Sequence, residues 1–228
     1  GQDRAPEYDT MTIVDLMRLP VMDLARPDSL LAFWTFDPRL DQAFDILDAW
    51  GFTFKTVAFT WVKTFDLFEA QAHLLPRLQD ALAAGDWEAI GAALAPLGKG
   101  HWTRANPEIC LLASIGKPVR LDAGVRQLIL EPAREHSRKP EQAVRRLERL
   151  AAGPRCELFA RTRRPGWDSW GNQVDLFSSS IDTGGTGVPG VPPVTNSGII
   201  YRRPLIGRSA MRRHVSQIYT SRQATGPQ

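Results

Sequence analysis

The sequence is poor in the residues that define several common protein classes. Its two cysteines, Cys110 and Cys156, lie inside apolar runs, which predicts buried free thiols rather than a disulfide scaffold. Its four histidines lack partners at metal-ligand spacing, so no metal site is expected. No apolar run reaches the roughly 18 residues of a membrane span, and no secretory signal or Gly-x-Gly-x-x-Gly loop is present. We therefore expect a soluble cytoplasmic protein with no membrane partner, and a nicotinamide enzyme has no support.

The charge of the chain is distributed unevenly. The formal net charge is +3 over 228 residues, of which 43% are hydrophobic, enough for one domain with a sizeable core. Residues 183–228 contain six arginines and no lysine or acid, so the rest of the chain is mildly acidic. The Ser/Gly/Pro-rich stretch after residue 177 is typical of a flexible linker. The predicted division is therefore a domain at 1–177, followed by a linker and basic tail at 178–228.

The order of apolar runs predicts an α/β fold. Residues 30–36 and 54–62 have the composition of strands, and residues 38–50 between them have the spacing of a helix. This order favours a doubly wound, Rossmann-like sheet with helices on both faces. Leucines at helical spacing in residues 66–97 predict a helical insertion, which serves either as a packing element or in target recognition.

Residues 135–173 form a compact unit around which the rest of the chain is organised. Lys139-Pro140 opens a predicted helix, and Gly153-Pro154 ends it. Residues 156–160 then form a short apolar strand that leads into a polar loop. Because ligands bind off the carboxyl ends of strands in doubly wound sheets, this loop is the predicted place for a nucleotide-like cofactor.

Several motifs of this sequence carry a family resemblance over roughly residues 6–174. They are Arg138-Lys139-Pro140-Glu141, Arg145-Arg146-Leu147-Glu148-Arg149-Leu150, Glu157-Leu158-Phe159-Ala160-Arg161, Trp170-Gly171-Asn172-Gln173, and the pattern Trp-x-x-x-Asn-x-Glu-x-Cys-Leu-Leu that begins at Trp102. Together they resemble the S-adenosylmethionine-dependent adenine N6-methyltransferases related to the mRNA adenosine methylase, including phage and bacterial DNA-modifying members. The resemblance implies a Rossmann-like methyltransferase domain.

The resemblance also implies how the cofactor, S-adenosyl-L-methionine, is bound. Lys139 would neutralise its methionine carboxylate, and Arg161, Asn172 and Gln173 would hydrogen-bond its adenosine portion. Glu157 stands where the family has a ribose-binding acid, and its alternative is a structural pair with an arginine.

The substrate side of the site is expected near Trp102. A tryptophan there can stack on a flipped base, Asn106 can pair with an adenine edge, and Glu108 stands beside them. The alternative is a core tryptophan with Asn106 and Glu108 capping a turn. By resemblance, Tyr8 helps to wall the substrate site.

The expected reaction is methyl transfer to N6 of adenine in nucleic acid, with DNA as the favoured substrate and RNA as the alternative. The family's Asp-Pro-Pro-Trp loop is absent, however, so no catalytic residue is identified. In the family this loop shortly precedes the segment that Tyr8 begins, which leads us to expect either a fragment or a diverged member. A noncatalytic scaffold subunit is the alternative, and a homodimer or heterodimer is considered for either. The basic tail either binds nucleic acid or is a disordered end.

Overall fold

The computed structural model describes residues 11–66, 68, 70–100, 102–135, 138–171, 173–174 and 198–201. The strands are β1 Ser29–Thr35, β2 Thr53–Thr64, β3 Glu108–Ile115, β4 Leu128–Pro132, β5 Arg155–Leu158, β6 Trp167–Trp170 and β7 Gly198–Tyr201. The α-helices are α1 Ile13–Met17, α2 Leu40–Ala49, α3 Gln71–Ala84, α4 Trp87–Leu94 and α5 Glu141–Leu150, with 3₁₀ turns at Val21–Asp23 and Asp37–Arg39. Within this described part, no helix has the length and apolarity needed to cross a bilayer.

The strands form one mixed sheet in the order β4-β2-β3-β1-β7-β5-β6. Strands β1 and β2 are both antiparallel to β3, and β4 is parallel to β2. Strands β1 and β5 are both antiparallel to β7, and β6 is parallel to β5. Five strands therefore share one direction, and their carboxyl ends lie along one side of the sheet, which we call the carboxyl edge. Because β3 runs the opposite way, its first residue, Glu108, lies at this edge as well.

Helices cover both faces of the sheet, as the sequence predicts. All seven residues of β1 are buried, which fits a continuous apolar run at the centre of a sheet. Leu31 and Phe33 pack in the core cluster that contains α1 and α2, and Ala32 and Trp34 pack in the cluster that contains α5. The alternation of side chains along a strand thus places β1 between two helical layers.

The first two helices are close to the predicted ones. Thr12 caps α1 by accepting a 3.2 Å hydrogen bond from the backbone N–H of Asp15. The buried Nε1 of Trp50 donates to the carbonyl of Leu16 at 2.9 Å, which joins the end of α2 to α1. Phe44 lies at the rim of the buried face of α2 and packs edge-on against Phe54 with ring centroids 5.2 Å apart.

The insertion at 66–97 contains the helix pair α3 and α4. Gly85 ends α3 with a φ of 66°, a left-handed conformation that glycine adopts without a Cβ penalty. Asp86 then caps α4 by accepting from the N–H of Ala89 at 2.9 Å. The backbone N–H of Phe65 donates to the carbonyl of Leu94 at 3.1 Å, so the start and end of the hairpin meet beside β2.

Helix α5 begins directly after Lys139-Pro140, as predicted, and its cap comes from a distant strand. Pro140 provides no side-chain cap. Glu131, in β4, accepts instead from the backbone N–H groups of Glu141 at 3.0 Å and Gln142 at 3.3 Å. A carboxylate at a helix N-terminus satisfies free N–H groups and complements the helix dipole. This interaction fixes the start of α5, and with it Lys139, at the carboxyl edge.

Two strands lie where the sequence predicts a loop or a linker. Strand β6 lies in the stretch interpreted as a loop after β5. Strand β7 lies beyond residue 177, where the sequence predicts only linker and tail, and yet it pairs with both β1 and β5. Assigning these four residues to a segment outside the fold was therefore wrong, because their backbone fills the space between two strands whose hydrogen-bonding groups need partners. The rest of the predicted linker and tail, 178–197 and 202–228, lies outside the described residues.

Candidate cofactor and substrate site

The sheet topology brings distant parts of the chain together at the carboxyl edge. Lys63 lies one residue before the end of β2, Glu108 opens β3, and Lys139 immediately precedes the Pro140 N-cap of α5. Arg161 and Gln173 follow β5 and β6. These positions span more than a hundred residues of sequence and lie on one side of the sheet, the side on which ligands of α/β proteins bind.

Lys63, Glu108 and Lys139 form a cluster that we call the lysine–glutamate triad. The Nζ of Lys63 lies 2.8 Å from Oε1 of Glu108, and the Nζ of Lys139 lies 2.5 Å from Oε2. Each oxygen of the carboxylate therefore has its own ammonium. The Glu108 side chain is 20% exposed and that of Lys139 17%, so water reaches them only partly.

Burial alone would raise the pKa of Glu108. The charges and hydrogen bonds of Lys139 and Lys63 outweigh it and hold the pKa below its ordinary value. Glu108 is thus ionised at neutral pH, and the triad carries a net charge of about +1.

Two tryptophans lie beneath the ammonium groups. The Nζ of Lys139 is 5.5 Å from the ring centroid of Trp34, and the Nζ of Lys63 is 5.5 Å from that of Trp61. Cations are attracted to aromatic faces at this distance. The Trp61 ring is itself fixed, because its Nε1 donates to the carbonyl of Glu131 at 2.8 Å. The triad therefore rests on the core cluster between the sheet and α5.

Asn106 fastens the helical insertion to the end of β2. Its Oδ1 accepts from the N–H of Lys63 at 2.9 Å, and its Nδ2 donates to the carbonyls of Lys63 at 2.9 Å and Pro96 at 2.7 Å. Both amide hydrogens and the amide oxygen are thus in use within the fold. The geometry favours the structural alternative for this residue, and its pairing with an adenine edge stays a prediction that requires these bonds to break.

Trp102, unlike Asn106, is directed to solvent rather than bonded within the fold. Its side chain is fully exposed, with a relative accessibility of 100%, so the alternative of a core tryptophan is wrong. An exposed indole presents both faces to a base, and its role in stacking remains a prediction. Tyr8, predicted to wall the substrate site, lies outside the described residues.

The chain leaves β5 through a strained residue. Phe159 has a φ of 59°, a left-handed conformation that non-glycine residues seldom adopt, and its buried ring packs against Trp170 with centroids 5.4 Å apart. A Cβ on Gly171 would lie 2.6 Å from the carbonyl oxygen of Ala160, so only glycine allows β6 and the exit of β5 to approach this closely. Strained backbone of this kind is common at functional sites, where packing holds it in place.

The loop residues near this exit carry polar groups suited to a ligand. The buried Oε1 of Gln173 has no hydrogen-bond partner among the described residues. Buried acceptors are normally satisfied, so an unpaired one fits a ligand that donates a hydrogen bond. Together with the positive triad, it fits a cofactor that has a carboxylate at one end and hydrogen-bond donors at the other. Arg161 is half-buried in this loop, and Asn172 lies outside the described residues.

Glu157 is predicted either to bind ribose or to pair with an arginine, and in the structure it forms an ion pair with Arg164. Nε of Arg164 lies 3.6 Å from its Oε2, an ion pair that is too long for a hydrogen bond. The same guanidinium binds Glu141 of α5 at 2.5 and 3.0 Å. Burial raises the pKa of Glu157 above its ordinary value although Arg164 opposes the change. The geometry favours the structural alternative, and a ribose contact remains a prediction.

Sequence reasoning missed two residues of this edge, Lys63 and Arg164. Lys63 directly follows the predicted strand at 54–62, and this position at the carboxyl end of β2 is the signal that points to it. Arg164 lies in an arginine-rich loop, where no local pattern distinguishes it from Arg163.

The described part of the chain forms a sheet with helices on both faces and a polar, charged edge at the carboxyl ends of its parallel strands, which defines a Rossmann-like methyltransferase fold. Comparison with known proteins finds a family match over part of the chain: residues 86–173 match the family model described as MT-A70. Over these residues the chain is similar to the MT-A70 family, and the resemblance to adenine N6-methyltransferases is confirmed.

Individual relatives extend the similarity beyond the matched region. The chain is 28% identical over 182 residues to Type II methyltransferase M.MunI of Mycoplasma sp., which is 78% of this chain and 65% of that protein. It is 28% identical over 172 residues to the N(6)-adenosine-methyltransferase catalytic subunit METTL3 of Homo sapiens, which is 74% of this chain and 25% of the human protein. A putative N(6)-adenosine-methyltransferase MT-A70-like protein of Medicago truncatula is 30% identical over 174 residues, 73% of this chain and 24% of that protein. The similarity therefore covers most of this chain and less than two thirds of each of these relatives.

Proposed function

We propose that this chain belongs to an S-adenosylmethionine-dependent methyltransferase that acts on N6 of adenine in nucleic acid, DNA rather than RNA. The observation that carries the proposal is the position of the MT-A70 match. The matched residues include Glu108, Lys139, Arg161 and Gln173, which the fold brings to one edge of the sheet. The bacterial relative and the compact motif variants favour DNA.

The proposed cofactor contacts follow the carboxyl edge. Lys139 would neutralise the methionine carboxylate, while Arg161, Asn172 and Gln173 would bond the adenosine portion. The partly buried Lys139 ammonium gives a charge-assisted contact, which is stronger than a bond between neutral groups. Gln173 supplies a buried acceptor that no other residue of the described ranges satisfies.

The chemistry needs an activated amine. S-adenosylmethionine supplies an electrophilic methyl group, and transfer forms an N–C bond, breaks the S–C bond and releases one proton from the adenine amino group. The lone pair of that nitrogen is delocalised into the ring, so it must be localised by hydrogen-bond acceptors. Positioning of the methyl group in line with the nitrogen supplies much of the remaining acceleration. The residues of this chain account for cofactor binding and orientation, and the Asp-Pro-Pro-Trp acceptors are not among its 228 residues.

The missing tetrapeptide supports a second candidate function, a noncatalytic scaffold that binds the cofactor and nucleic acid. We propose a homodimer or heterodimer for either function, in a cytoplasmic setting. The gene sequence upstream of the Gly1 codon discriminates between the two functions. An Asp-Pro-Pro-Trp codon run within a few dozen codons favours the enzyme, and its absence favours the scaffold.

Calorimetry with S-adenosylmethionine tests the shared part of both proposals. We expect saturable binding of one cofactor per chain, with methyl transfer to adenine-containing duplex DNA exceeding transfer to RNA once the protein includes the Asp-Pro-Pro-Trp segment. The 228 residues alone are expected to bind without transfer. If no binding is detected at S-adenosylmethionine concentrations up to about 1 mM, the binding free energy is weaker than about −4 kcal/mol, and the assignment is refuted.

The basic tail makes a separate prediction about nucleic-acid affinity. All six tail arginines follow β7, so truncation after Tyr201 removes them and keeps the strand. We expect the truncated chain to bind DNA more weakly, with the slope of log K against log salt reduced by about 0.9 for each phosphate that the protein no longer neutralises. A matched variant with the six arginines replaced by glutamine should behave alike. An unchanged salt slope in both would leave the tail without a role in binding.

A further inference from the structure

Lys63 has no role in the contacts proposed so far, although it shares a carboxylate with Lys139. We infer that Lys63 is a positioning residue for cofactor binding: its ammonium neutralises Glu108 and leaves Lys139 available for the carboxylate of S-adenosylmethionine. The inference rests on the proposed function, because it assumes that Lys139 binds that carboxylate.

The geometry of the triad supports this role. The two ammonium groups bind different oxygens of Glu108, at 2.8 Å for Lys63 and 2.5 Å for Lys139. A single negative charge is therefore shared between two positive ones, and an incoming anion meets a site with a net positive charge. Strong interaction of Glu108 with both lysines also holds its pKa below the ordinary value.

Lys63 is held in place for this task. Its backbone N–H and carbonyl are both bonded to the Asn106 side chain at 2.9 Å, and its ammonium lies 5.5 Å from the centroid of Trp61. The fold therefore restricts Lys63 before any ligand binds, and less conformational entropy is lost on binding. The exposed Lys55 on the same strand lies outside the triad and provides a control.

Removal of Lys63 should affect the cofactor through Glu108. Without the second ammonium, Glu108 would bind Lys139 alone and repel the ligand carboxylate at close range. The effect of Lys63 should therefore depend on the negative charge of Glu108. If Lys63 instead contacts the ligand directly, its effect should persist when that charge is removed.

The test is a double-mutant cycle on the full chain, read out as the Kd for S-adenosylmethionine by calorimetry. We expect Lys63→Met to raise the Kd about 10-fold, a typical effect for one charged interaction. Glu108→Gln should leave the Kd unchanged or lower it, and the Lys63→Met/Glu108→Gln protein should match Glu108→Gln. Lys63→Arg, which keeps the charge, should stay within about three-fold of the unsubstituted chain, and Lys55→Met should not differ from it.

Two results overturn the inference: an unchanged Kd in Lys63→Met, or an equal rise in Kd on adding Lys63→Met to the Glu108→Gln background. Thermal unfolding of each variant separates a binding defect from a folding defect, and Lys63→Gln gives a second neutral variant if the methionine variant does not fold. Lack of cofactor binding by the unsubstituted chain would instead contradict the proposed function itself.

Discussion

Replacing Lys139 with methionine is expected to raise the Kd for S-adenosylmethionine about 30-fold, a loss of about 2 kcal/mol. The side chain of Lys139 is 17% exposed and its ammonium rests against the face of Trp34, so its interaction with a ligand carboxylate is only partly weakened by water. Glu108 keeps Lys63 as a partner in the variant, and the fold should therefore persist. Calorimetry with the full chain measures the affinity, and thermal unfolding checks the fold.

A matched ligand isolates the carboxylate interaction. The compound 5′-methylthioadenosine retains the adenosine portion and lacks the amino-acid carboxylate, so its Kd should be the same for the Lys139→Met and unsubstituted chains. Lys117 lies exposed beyond the end of β3, at the opposite side of the sheet, and Lys117→Met should change neither affinity. Equal weakening for both ligands would assign Lys139 to the fold rather than to the carboxylate.

The elements with a strong local pattern were predictable from the sequence. The Lys139-Pro140 start of α5 and the helix pair of the insertion follow from proline geometry and helical spacing, and both are present. Strand β1 was placed within one residue, because a continuous apolar run of that length is typical of a central strand. Local chemistry decides elements of this kind.

Interactions between distant residues were not predictable in the same way. The bond from Lys139 to Glu108 joins positions 31 apart, and the cap of α5 by Glu131 is set by the sheet rather than by the helix sequence. Asn106 shows the limit most clearly. Its residue type suits both recognition of adenine and a backbone clamp, and only the three hydrogen bonds to Lys63 and Pro96 favour the clamp.

Strand β7 was missed for a related reason. Its sequence, GIIY, contains residues that favour strands, but the run is short and follows a stretch rich in glycine and proline, so it takes the pairing with β1 and β5 to make it a strand. Open hydrogen-bonding groups on two neighbouring strands favour any segment that can fill the space between them. The sheet therefore determines this element more than its own sequence does.

Replacing Arg164 with methionine is expected to lower the free energy of unfolding by about 3 kcal/mol at pH 7. Arg164 is 18% exposed and binds Glu141 on α5 and Glu157 on β5, so its removal leaves two partly buried carboxylates without their shared cation. Urea unfolding measures the effect. Arg145→Met, an exposed position on α5, should stay within about 0.5 kcal/mol of the unsubstituted protein.

The pH dependence of that destabilisation identifies its cause. Burial raises the pKa of Glu157, so its contribution to stability falls as pH rises through the interval between the ordinary and the raised values. For Glu141, burial alone would raise the pKa, but Arg164 and Arg134 outweigh burial and hold the pKa below its ordinary value. The stability that Glu141 contributes is therefore present above the ordinary pKa and is lost as pH falls through the lowered one. Without Arg164 both pKa values rise, and the penalty of the variant should be greatest near neutrality and shrink as acid protonates both carboxyls. A second change, Glu157→Gln, removes one buried charge and should recover part of the stability at pH 7. A penalty of the same size at pH 4 and pH 7 would mean that Arg164 stabilises the protein by packing alone.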